Sequence, residues 1–260
     1  MKKLNYWSII AMIGLFVSCG ESKEQKEITD QTEDTEITAQ TSEREQDRVL
    51  TEEERNALTP DQVVAEFKEG NQRFIKDSLT LRNREGRINQ TGEAQYPKAM
   101  ILSCIDSRVP VEEIFDQGLG DIFVGRIAGN FADEEMLGSL EYATKVAGSK
   151  AIVVLGHQNC GAVKSAISNV ELGNITAMLN HIEPAVEMTD NFPEDQRTLK
   201  NEEYVNEVVK NNVLHTMNEI REKSSIIAEM EGNKEIKILG AVYNVENGTV
   251  EFLEEPKENQ

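Results

Sequence analysis

Short, uninterrupted apolar runs separated by helical segments are the feature that most restricts how this sequence can fold. The apolar runs occupy residues 98–104, 121–128, 151–156 and 236–242. Runs of this length without polar alternation are typical of parallel strands that are buried on both faces. Helices are predicted at residues 134–147, 161–168, 176–190 and 198–230. We therefore expect an α/β domain with a mostly parallel β-sheet flanked by helices.

The remaining predicted elements lie near the two ends of this domain. Thr59-Pro60-Asp61 is typical of a helix start, and apolar residues follow at helical spacing, so we predict an N-terminal helical arm over residues 60–76. Residues 82–97 contain two glycines and a proline and are predicted to form a loop. Asn247-Gly248 between two valines indicates a hairpin turn.

The charge of the chain excludes some classes of partner. The 260 residues include 47 acidic and 27 basic side chains, for a net charge of −20. Nucleic-acid binding needs a basic surface, so we expect no nucleic-acid partner. Anionic membrane surfaces would also repel this chain, and any membrane attachment should therefore be covalent. The three cysteines, at positions 19, 104 and 160, are too few for a disulfide scaffold.

The N-terminus has the pattern of an export signal. Lys2 and Lys3 precede an apolar stretch of about twelve residues, which is too short to span a bilayer. The stretch ends in Phe16-Val17-Ser18-Cys19-Gly20, which resembles the lipobox of bacterial lipoproteins. This resemblance implies that residues 1–18 are a lipoprotein signal peptide and that Cys19 is lipidated. An ordinary secretory signal with an incidental cysteine is the alternative.

Residues 19–58 follow as a polar, acidic segment. They contain 13 acidic and 5 basic side chains, a net charge of −8, and few apolar residues. Such a composition favours a disordered linker that holds a folded domain, residues 59–260, away from a membrane. We expect an exported bacterial lipoprotein on the periplasmic side of the membrane. Gly20 after the cysteine favours the outer membrane in a Gram-negative source.

Two cysteines and a histidine follow the predicted strands. Cys104 ends the first apolar run, and His157 and Cys160 follow the third. Open α/β sheets place their sites at the carboxyl ends of the strands, so we expect these side chains to meet there. Two thiolates and one imidazole with a fourth position open are typical of a catalytic zinc site. Two buried core cysteines and an unrelated histidine are the alternative.

These residues also carry a resemblance to a known family. Cys-x-Asp-Ser-Arg at 104–108, followed about fifty residues later by His-x-x-Cys-Gly at 157–161, resembles the signature of the β-class carbonic anhydrases. The similarity extends through residues 122–130, 137–143 and 153–167 and covers roughly residues 60–255. It implies that Cys104, His157 and Cys160 bind one zinc ion per chain, and that Asp106 and Arg108 form a catalytic dyad. The implied reaction is the reversible hydration of carbon dioxide to bicarbonate and a proton.

The chemistry of this reaction gives Asp106 and Arg108 distinct roles. Two thiolates cancel the charge of a zinc ion, so a zinc-bound hydroxide needs further help to form and to point at carbon dioxide. Asp106 can accept the proton of that hydroxide, and Arg108 can keep Asp106 ionised and oriented through paired hydrogen bonds. A structural ion pair at a strand end is the alternative for these two residues.

The substrate is small and apolar, so an apolar pocket with one or two polar anchors is expected. By the same resemblance, Gln95 matches a glutamine that hydrogen-bonds substrate or bicarbonate, and the backbone N–H of Gly161 is a further candidate for this contact. Phe123, Ala128 and Tyr142 match positions that line the family's pocket. A solvent-facing loop glutamine and two ordinary core aromatics are the alternatives.

The resemblance also bears on regulation and assembly. One type of site in this family binds inhibitory bicarbonate through tryptophan, arginine and tyrosine, but Ile101 stands at the tryptophan position here and only Arg126 is present. We therefore predict the open type of site. Family members form dimers or higher oligomers, commonly with an N-terminal helix reaching across the partner, and we expect a homodimer or larger homo-oligomer.

Three other functions compete with carbon dioxide hydration. A hydrolase for carbon disulfide or carbonyl sulfide could use the same fold. A surface lipoprotein could bind zinc or bicarbonate without catalysis, although an intact Asp106–Arg108 pair argues against this. A thiol hydrolase using Cys160 and His157 would leave Cys104 unexplained.

Overall fold

The computed structural model describes residues 47–253. The predicted signal peptide, Cys19 and most of the predicted linker lie outside the described residues. Within them, no helix combines the length and the apolar character that crossing a bilayer requires.

The described residues form a five-stranded sheet with helices on both faces. The strands are β1 (Ala99–Ser103), β2 (Ile122–Arg126), β3 (Ala151–His157), β4 (Lys237–Tyr243) and β5 (Val250–Phe252). Their order across the sheet is β2-β1-β3-β4-β5; the first four strands are parallel, and β5 pairs antiparallel with β4. The predicted α/β class, the four apolar strands and the hairpin at Asn247-Gly248 are thus confirmed.

The helices lie before, between and after the strands. They are α1 (Glu52–Ala57), α2 (Pro60–Ile75), α3 (Arg84–Thr91), α4 (Val111–Ile114), α5 (Glu134–Glu141), α6 (Gly161–Ile167), α7 (Gly173–Leu179), α8 (Glu183–Met188), α9 (Glu202–Lys223) and α10 (Ser225–Gly232). A π-helical turn, Tyr142–Val146, continues α5, and a 3-10 turn, Glu194–Gln196, precedes α9.

Alternate residues of the central strands supply two apolar cores, one on each face of the sheet. Leu102 and Val154 point into the core that α9 covers, and Ile101 and Val153 point into the core that α2 covers. This alternation follows from the two-residue period of a strand, and it explains why the strand sequences are apolar throughout. Helix α2 buries Val63 and Phe67 in the second core, so it packs on this chain's own sheet rather than standing free as an arm.

Residues 82–97 contain a helix, and the prediction of a loop there is wrong. The Asn83 side chain accepts a hydrogen bond from the Gly86 N–H and so caps α3. Arg87 is fully buried, donates to the Leu119 carbonyl and pairs with Asp121. The glycines suggested a loop, whereas a buried arginine that reaches across to distant residues stabilises the helix.

The predicted linker is also ordered at its C-terminal end. Thr51 caps α1 through a capping box with Glu54. Arg55 is buried and donates a hydrogen bond to the Ala147 carbonyl. This tertiary contact makes the last residues of the 19–58 segment part of the folded domain, so the predicted boundary at residue 58 lies too far along the chain.

Three predicted helices are interrupted where the chain must turn. The helix predicted over 134–147 changes to a π-helical turn at Tyr142, and the segment 176–190 contains α7 and α8. The segment 198–230 divides at Ser224, which ends α9 and whose hydroxyl accepts a hydrogen bond from the Ile227 N–H at the start of α10. A side-chain cap within a helical pattern is a reason to expect such a break.

Candidate metal centre

The sheet brings Cys104, His157 and Cys160 together at the carboxyl ends of two adjacent strands. Cys104 directly follows β1, His157 is the last residue of β3, and Cys160 is the residue before α6. All three are buried, and their sulfur and nitrogen atoms lie within 4.8 Å of one another. Because β1 and β3 are parallel neighbours in register, residues that follow them must meet at one edge of the sheet. The predicted cluster is therefore present in the structure.

The histidine presents a free nitrogen to the two sulfurs. Its Nδ1 lies 2.9 Å from the Gln158 carbonyl oxygen, which can only accept a hydrogen bond, so Nδ1 carries the proton. Its Nε2 is buried without a hydrogen-bond partner among residues 47–253. A backbone carbonyl on one ring nitrogen is the usual way in which proteins orient a metal-binding histidine. The donor set of two sulfurs and one unprotonated nitrogen fits zinc.

The two thiols are electrostatically unequal. A hydrogen bond from Cys160, followed by the neighbouring His157 side chain and the N–H groups of Gly129 and Asp106, lowers the pKa of Cys104 against the opposing effect of burial. The Gly129 nitrogen lies 3.4 Å from Cys104 Sγ. The hydrogen bond that Cys160 donates to Cys104, together with burial, raises the pKa of Cys160. Without a metal ion, the pair therefore shares one proton, which resides mainly on Cys160.

Asp106 and Arg108 form a paired contact beside this cluster. Arg108 Nε lies 2.9 Å from Asp106 Oδ1, its Nη2 lies 2.8 Å from Oδ2, and its backbone nitrogen lies 3.0 Å from Oδ1. These bonds from Arg108 hold the pKa of Asp106 well below its usual range, and Asp106 in turn raises the pKa of Arg108. Asp106 Oδ2 is also 3.8 Å from His157 Nε2, so an ionised carboxylate borders the space between the three donor atoms.

The Arg126 side chain donates hydrogen bonds to two backbone carbonyls around the first cysteine. This last residue of β2 donates from Nε to the Cys104 carbonyl, at 2.8 Å, and from Nη2 to the Asp106 carbonyl, at 2.6 Å. It therefore fixes the segment that carries both a metal donor and the dyad carboxylate. The resemblance drew attention to Arg126 only as part of a bicarbonate-binding set, and the sequence gives no sign of these backbone contacts.

Asn212 is a buried polar residue near the centre that the sequence analysis missed. It lies on the inner face of α9, and its Nδ2 donates to the Gly129 carbonyl at 2.8 Å. The one available signal was the position of Asn212, four residues after Val208 and three after Val209, which places it on the same helix face as these valines. Such a pattern indicates a buried amide but not its partner.

Phe123 and Tyr142 line an apolar cavity that is separate from the three donor atoms. Their rings meet edge to face with centroids 6.4 Å apart. The cavity, with a volume of 520 Å³, also contacts Met100 and Met136, and none of the three donor residues lines it. Tyr142 is 56% exposed, so this cavity opens at the unpaired edge of the sheet beside β2.

The other predicted pocket residues lie in different surroundings. Gln95 is exposed in the segment before β1. Ala128 is half-buried in the loop after β2, directly before Gly129. Gly161 is the first residue of α6 and is exposed, and an added Cβ there would meet no atom within 4 Å. Ala128 and Gly161 are therefore adjacent in sequence to Gly129 and Cys160 of the metal centre, whereas Gln95 is adjacent to no residue of that centre.

Comparisons with known proteins agree with this geometry. The sequence model of the carbonic anhydrase family matches residues 99–250. Carbonic anhydrase 2 of Mycobacterium tuberculosis strain H37Rv is 35% identical over 192 residues, which are 70% of this chain and 87% of that protein. The carbonic anhydrase of Mycolicibacterium smegmatis is 34% identical over 193 residues, 72% of this chain and 89% of its own length.

Solved structures show the same fold. A β-carbonic anhydrase of Aspergillus fumigatus superposes with a TM-score of 0.60 at 23% identity, covering 76% of this chain and 92% of its own. The Coccomyxa β-carbonic anhydrase superposes with a TM-score of 0.58 at 23% identity, covering 76% of this chain and 86% of its own.

Proposed function

Since the chain belongs to the carbonic anhydrase family and has the fold of its β-class, we propose that it catalyses the reversible hydration of carbon dioxide to bicarbonate and a proton. The observation that carries this proposal is the meeting of three buried donors, Cys104, His157 and Cys160, within 4.8 Å of one another at one edge of the sheet. The nearby carboxylate of Asp106 gives this cluster a group that can direct a reacting water.

Cys104 Sγ, Cys160 Sγ and His157 Nε2 would hold one zinc ion per chain. Carbonic anhydrase is the standard example of the chemistry that such an ion supplies, which is to make water acidic enough to provide hydroxide near neutral pH. Three protein donors leave a tetrahedral ion one open position, as catalytic zinc sites require.

Asp106 and Arg108 would orient the reacting water. An ionised carboxylate can only accept hydrogen bonds, so a hydroxyl group beside Asp106 Oδ2 must turn its proton toward that oxygen and a lone pair away from it. Arg108 supports this role because it occupies Oδ1 with two donors and keeps the carboxylate ionised. The same bonds engage both carboxylate oxygens and so compete with a metal ion for them, which favours the open type of site.

The predicted pocket residues are proposed to form two groups, one acting between subunits and one acting within a chain. Phe123 and Tyr142 line a cavity at the free edge of the sheet, apart from this chain's own donors. We propose that a second copy covers this edge, forming a homodimer in which Gln95, Phe123 and Tyr142 of one chain contact carbon dioxide or bicarbonate at the centre of the other. Ala128 and the Gly161 N–H would contact the substrate at the metal centre of their own chain.

Light scattering tests the proposed dimer and should give a mass of at least two chains. A fully active monomer would contradict this arrangement.

Export and lipidation are proposed on the sequence alone, since Cys19 lies outside the described residues. A lipidated Cys19 would anchor the enzyme on the periplasmic face of a membrane, most simply the outer membrane. Mass spectrometry of the N-terminal peptide should find a diacylglycerol-modified Cys19 as the first residue. An unmodified N-terminus further along the chain would refute lipidation and support an ordinary secretory signal.

Stopped-flow hydration of carbon dioxide by the purified chain, with zinc counted per chain, tests the proposed activity. Rapid hydration at one zinc per chain would support it. One zinc per chain without hydration across about pH 6.5 to 9, where hydroxide becomes available at catalytic zinc, would refute it. That result would favour a sulfur-containing analogue as substrate, or a site that only binds.

Zinc affinity is expected to depend on pH in a defined direction. Near neutral pH, the pKa values place one proton on the thiol pair, mainly on Cys160, and zinc must displace it. Release of one proton makes affinity rise with pH, by about tenfold per pH unit between about pH 6 and 8. Competition with a chelator of known pH dependence measures this slope, and a flat profile would contradict the shared proton.

A further inference from the structure

The inner face of α9 carries one amide among apolar side chains. Asn212 is 1% exposed, and its neighbours on this face include Val208, Val209 and Val213, which pack in the core below the sheet. An amide in such surroundings destabilises the fold unless it forms hydrogen bonds. Asn212 Oδ1 has no hydrogen-bond partner among residues 47–253, so the Nδ2 bond is the contact that accounts for an asparagine here.

That contact connects α9 to the metal centre through a single residue. Asn212 Nδ2 donates to the Gly129 carbonyl at 2.8 Å, and the Gly129 N–H donates to Cys104 Sγ at 3.4 Å. The first bond is made on one side of the Gly129 Cα atom and the second on the other. A change in the backbone angles of Gly129 would therefore disturb both bonds.

Gly129 needs such a restraint because its backbone is intrinsically free. Its φ of +87° lies in the region that favours glycine. A Cβ there would lie 2.4 Å from Ile182 Cδ1, so that side chain would have to move, and the positive φ would strain any residue with a Cβ. The preceding part of the loop is fixed by the Ile127 N–H, which donates to the Ser103 carbonyl at 3.0 Å. The Gly129 carbonyl is fixed by Asn212.

We propose that Asn212 is a positioning residue for the metal centre: by holding the Gly129 carbonyl, it keeps the Gly129 N–H directed at Cys104 Sγ. An N–H group that points at a thiolate stabilises its negative charge and restricts where its remaining lone pairs point. Hydrogen-bonded neighbours of this kind tune the affinity of a site for its metal. The proposal rests on the proposed function only in that Cys104 is taken to bind zinc.

The test replaces Asn212 by leucine, which has the same number and branching of side-chain heavy atoms and suits an apolar helix face but cannot donate a hydrogen bond. Asn71→Leu is the matched control. Asn71 is likewise buried, and its Nδ2 donates to the carbonyls of Ile114, in the other core, and of Gly248, in the hairpin turn, rather than to the segments that carry the three donors. Zinc dissociation constants are measured in the full chain by chelator competition, and the thiolate-to-metal charge-transfer band is recorded after substitution with cobalt. Thermal unfolding of the zinc-free chains reports stability.

We expect Asn212→Leu to weaken zinc binding about tenfold, the lower end of what such neighbours contribute. Its cobalt charge-transfer band should move to longer wavelength, because a thiolate without its N–H donor gives up an electron more easily. Asn71→Leu should lose more stability, since the Val250 N–H also depends on Asn71, yet bind zinc within about twofold of the wild type.

Wild-type zinc affinity and an unmoved cobalt band in Asn212→Leu would overturn the proposal. Equal zinc losses in the two variants would also overturn it, because general destabilisation would then account for both. If the wild-type chain binds no zinc, the proposed function itself fails, which is a separate result.

If Asn212→Leu does not fold, Asn212→Ser replaces it, since a serine hydroxyl is too short to reach the Gly129 carbonyl. Amide hydrogen exchange in the zinc-loaded wild type tests the second of the two bonds, from the Gly129 N–H to Cys104 Sγ. The Gly129 N–H should exchange slowly and become still slower when zinc binds. Exchange at the rate of an exposed amide would overturn the proposal.

Discussion

Replacing Asp106 by asparagine is expected to reduce carbon dioxide hydration by about 10²- to 10³-fold while leaving zinc bound, the range typical of losing a positioned proton-accepting group. The side-chain amide is nearly the same size as the carboxylate, so the fold and the three donors are undisturbed. It can donate a hydrogen bond from Nδ2, however, and a donor on the side that faces His157 Nε2 would turn a hydroxyl group the wrong way. Arg108 would also lose half of its paired contact.

The matched control is Asp61→Asn, which makes the same chemical change in an exposed ion pair with Lys237. Stopped-flow rates and zinc content are compared for the wild type and both variants. Asp61→Asn should hydrate carbon dioxide at the wild-type rate. An Asp106→Asn enzyme with full activity would show that the carboxylate does not orient the reacting water, and one without zinc would show that Asp106 maintains the donor cluster instead.

Replacing Cys160 by alanine should remove both zinc and activity. Outer neighbours of a metal ligand contribute up to about 100-fold to affinity, so loss of a donor atom should weaken zinc binding by more than about 100-fold. Cys160 forms no side-chain cap hydrogen bond of α6, although the N–H groups of Ala162 and Val163 in its first turn favour the Cys160 thiolate and so oppose the rise of its pKa. An unchanged thermal unfolding temperature of the zinc-free variant would assign the loss to the sulfur rather than to local unfolding.

Cys19→Ala is the control for this variant, because it removes the third cysteine and leaves the predicted donor set intact. Zinc per chain is measured by elemental analysis after dialysis against a weak chelator. Cys19→Ala should retain one zinc and the wild-type rate of hydration in a detergent-solubilised chain. If Cys160→Ala retained one zinc of wild-type affinity, the proposed donor set would be wrong.

The parts of the fold that the sequence predicts are those that depend on local pattern. The strands around Leu102 and Val154 are recognisable because burial on both faces leaves no polar alternation. The meeting of Cys104 with His157 follows, because parallel strands must end at one edge. The hairpin also depends on a local pattern, because the Asn247-Gly248 pair between two valines is typical of a tight turn between strands.

Other parts depend on contacts between residues far apart in the sequence. Helix α3 is stabilised by the bonds of Arg87 to Asp121 and to the Leu119 carbonyl. The residues near Arg87 in the sequence do not indicate these partners. The bonds of Arg126 and Asn212 to backbone carbonyls could not be predicted from the sequence either. Every residue has a backbone carbonyl, so residue type does not indicate which one accepts the bond. The position of Tyr142 depends on a π-helical turn, which adds a residue to one turn of a pattern that looks like ordinary helix.

The point at which the chain enters the folded domain has a consequence for access to the metal centre. Asp47 contacts Arg87, which holds the segment before β2, and Arg55 bonds to Ala147, shortly before β3. Both contacts lie at the edge where the strands begin, whereas His157 lies where β3 ends. A seven-residue strand is about 23 Å long. The chain therefore enters the folded domain at the end of the sheet where the strands begin, and its metal centre lies at the opposite end, where dissolved gas and ions can reach it without passing the point of entry.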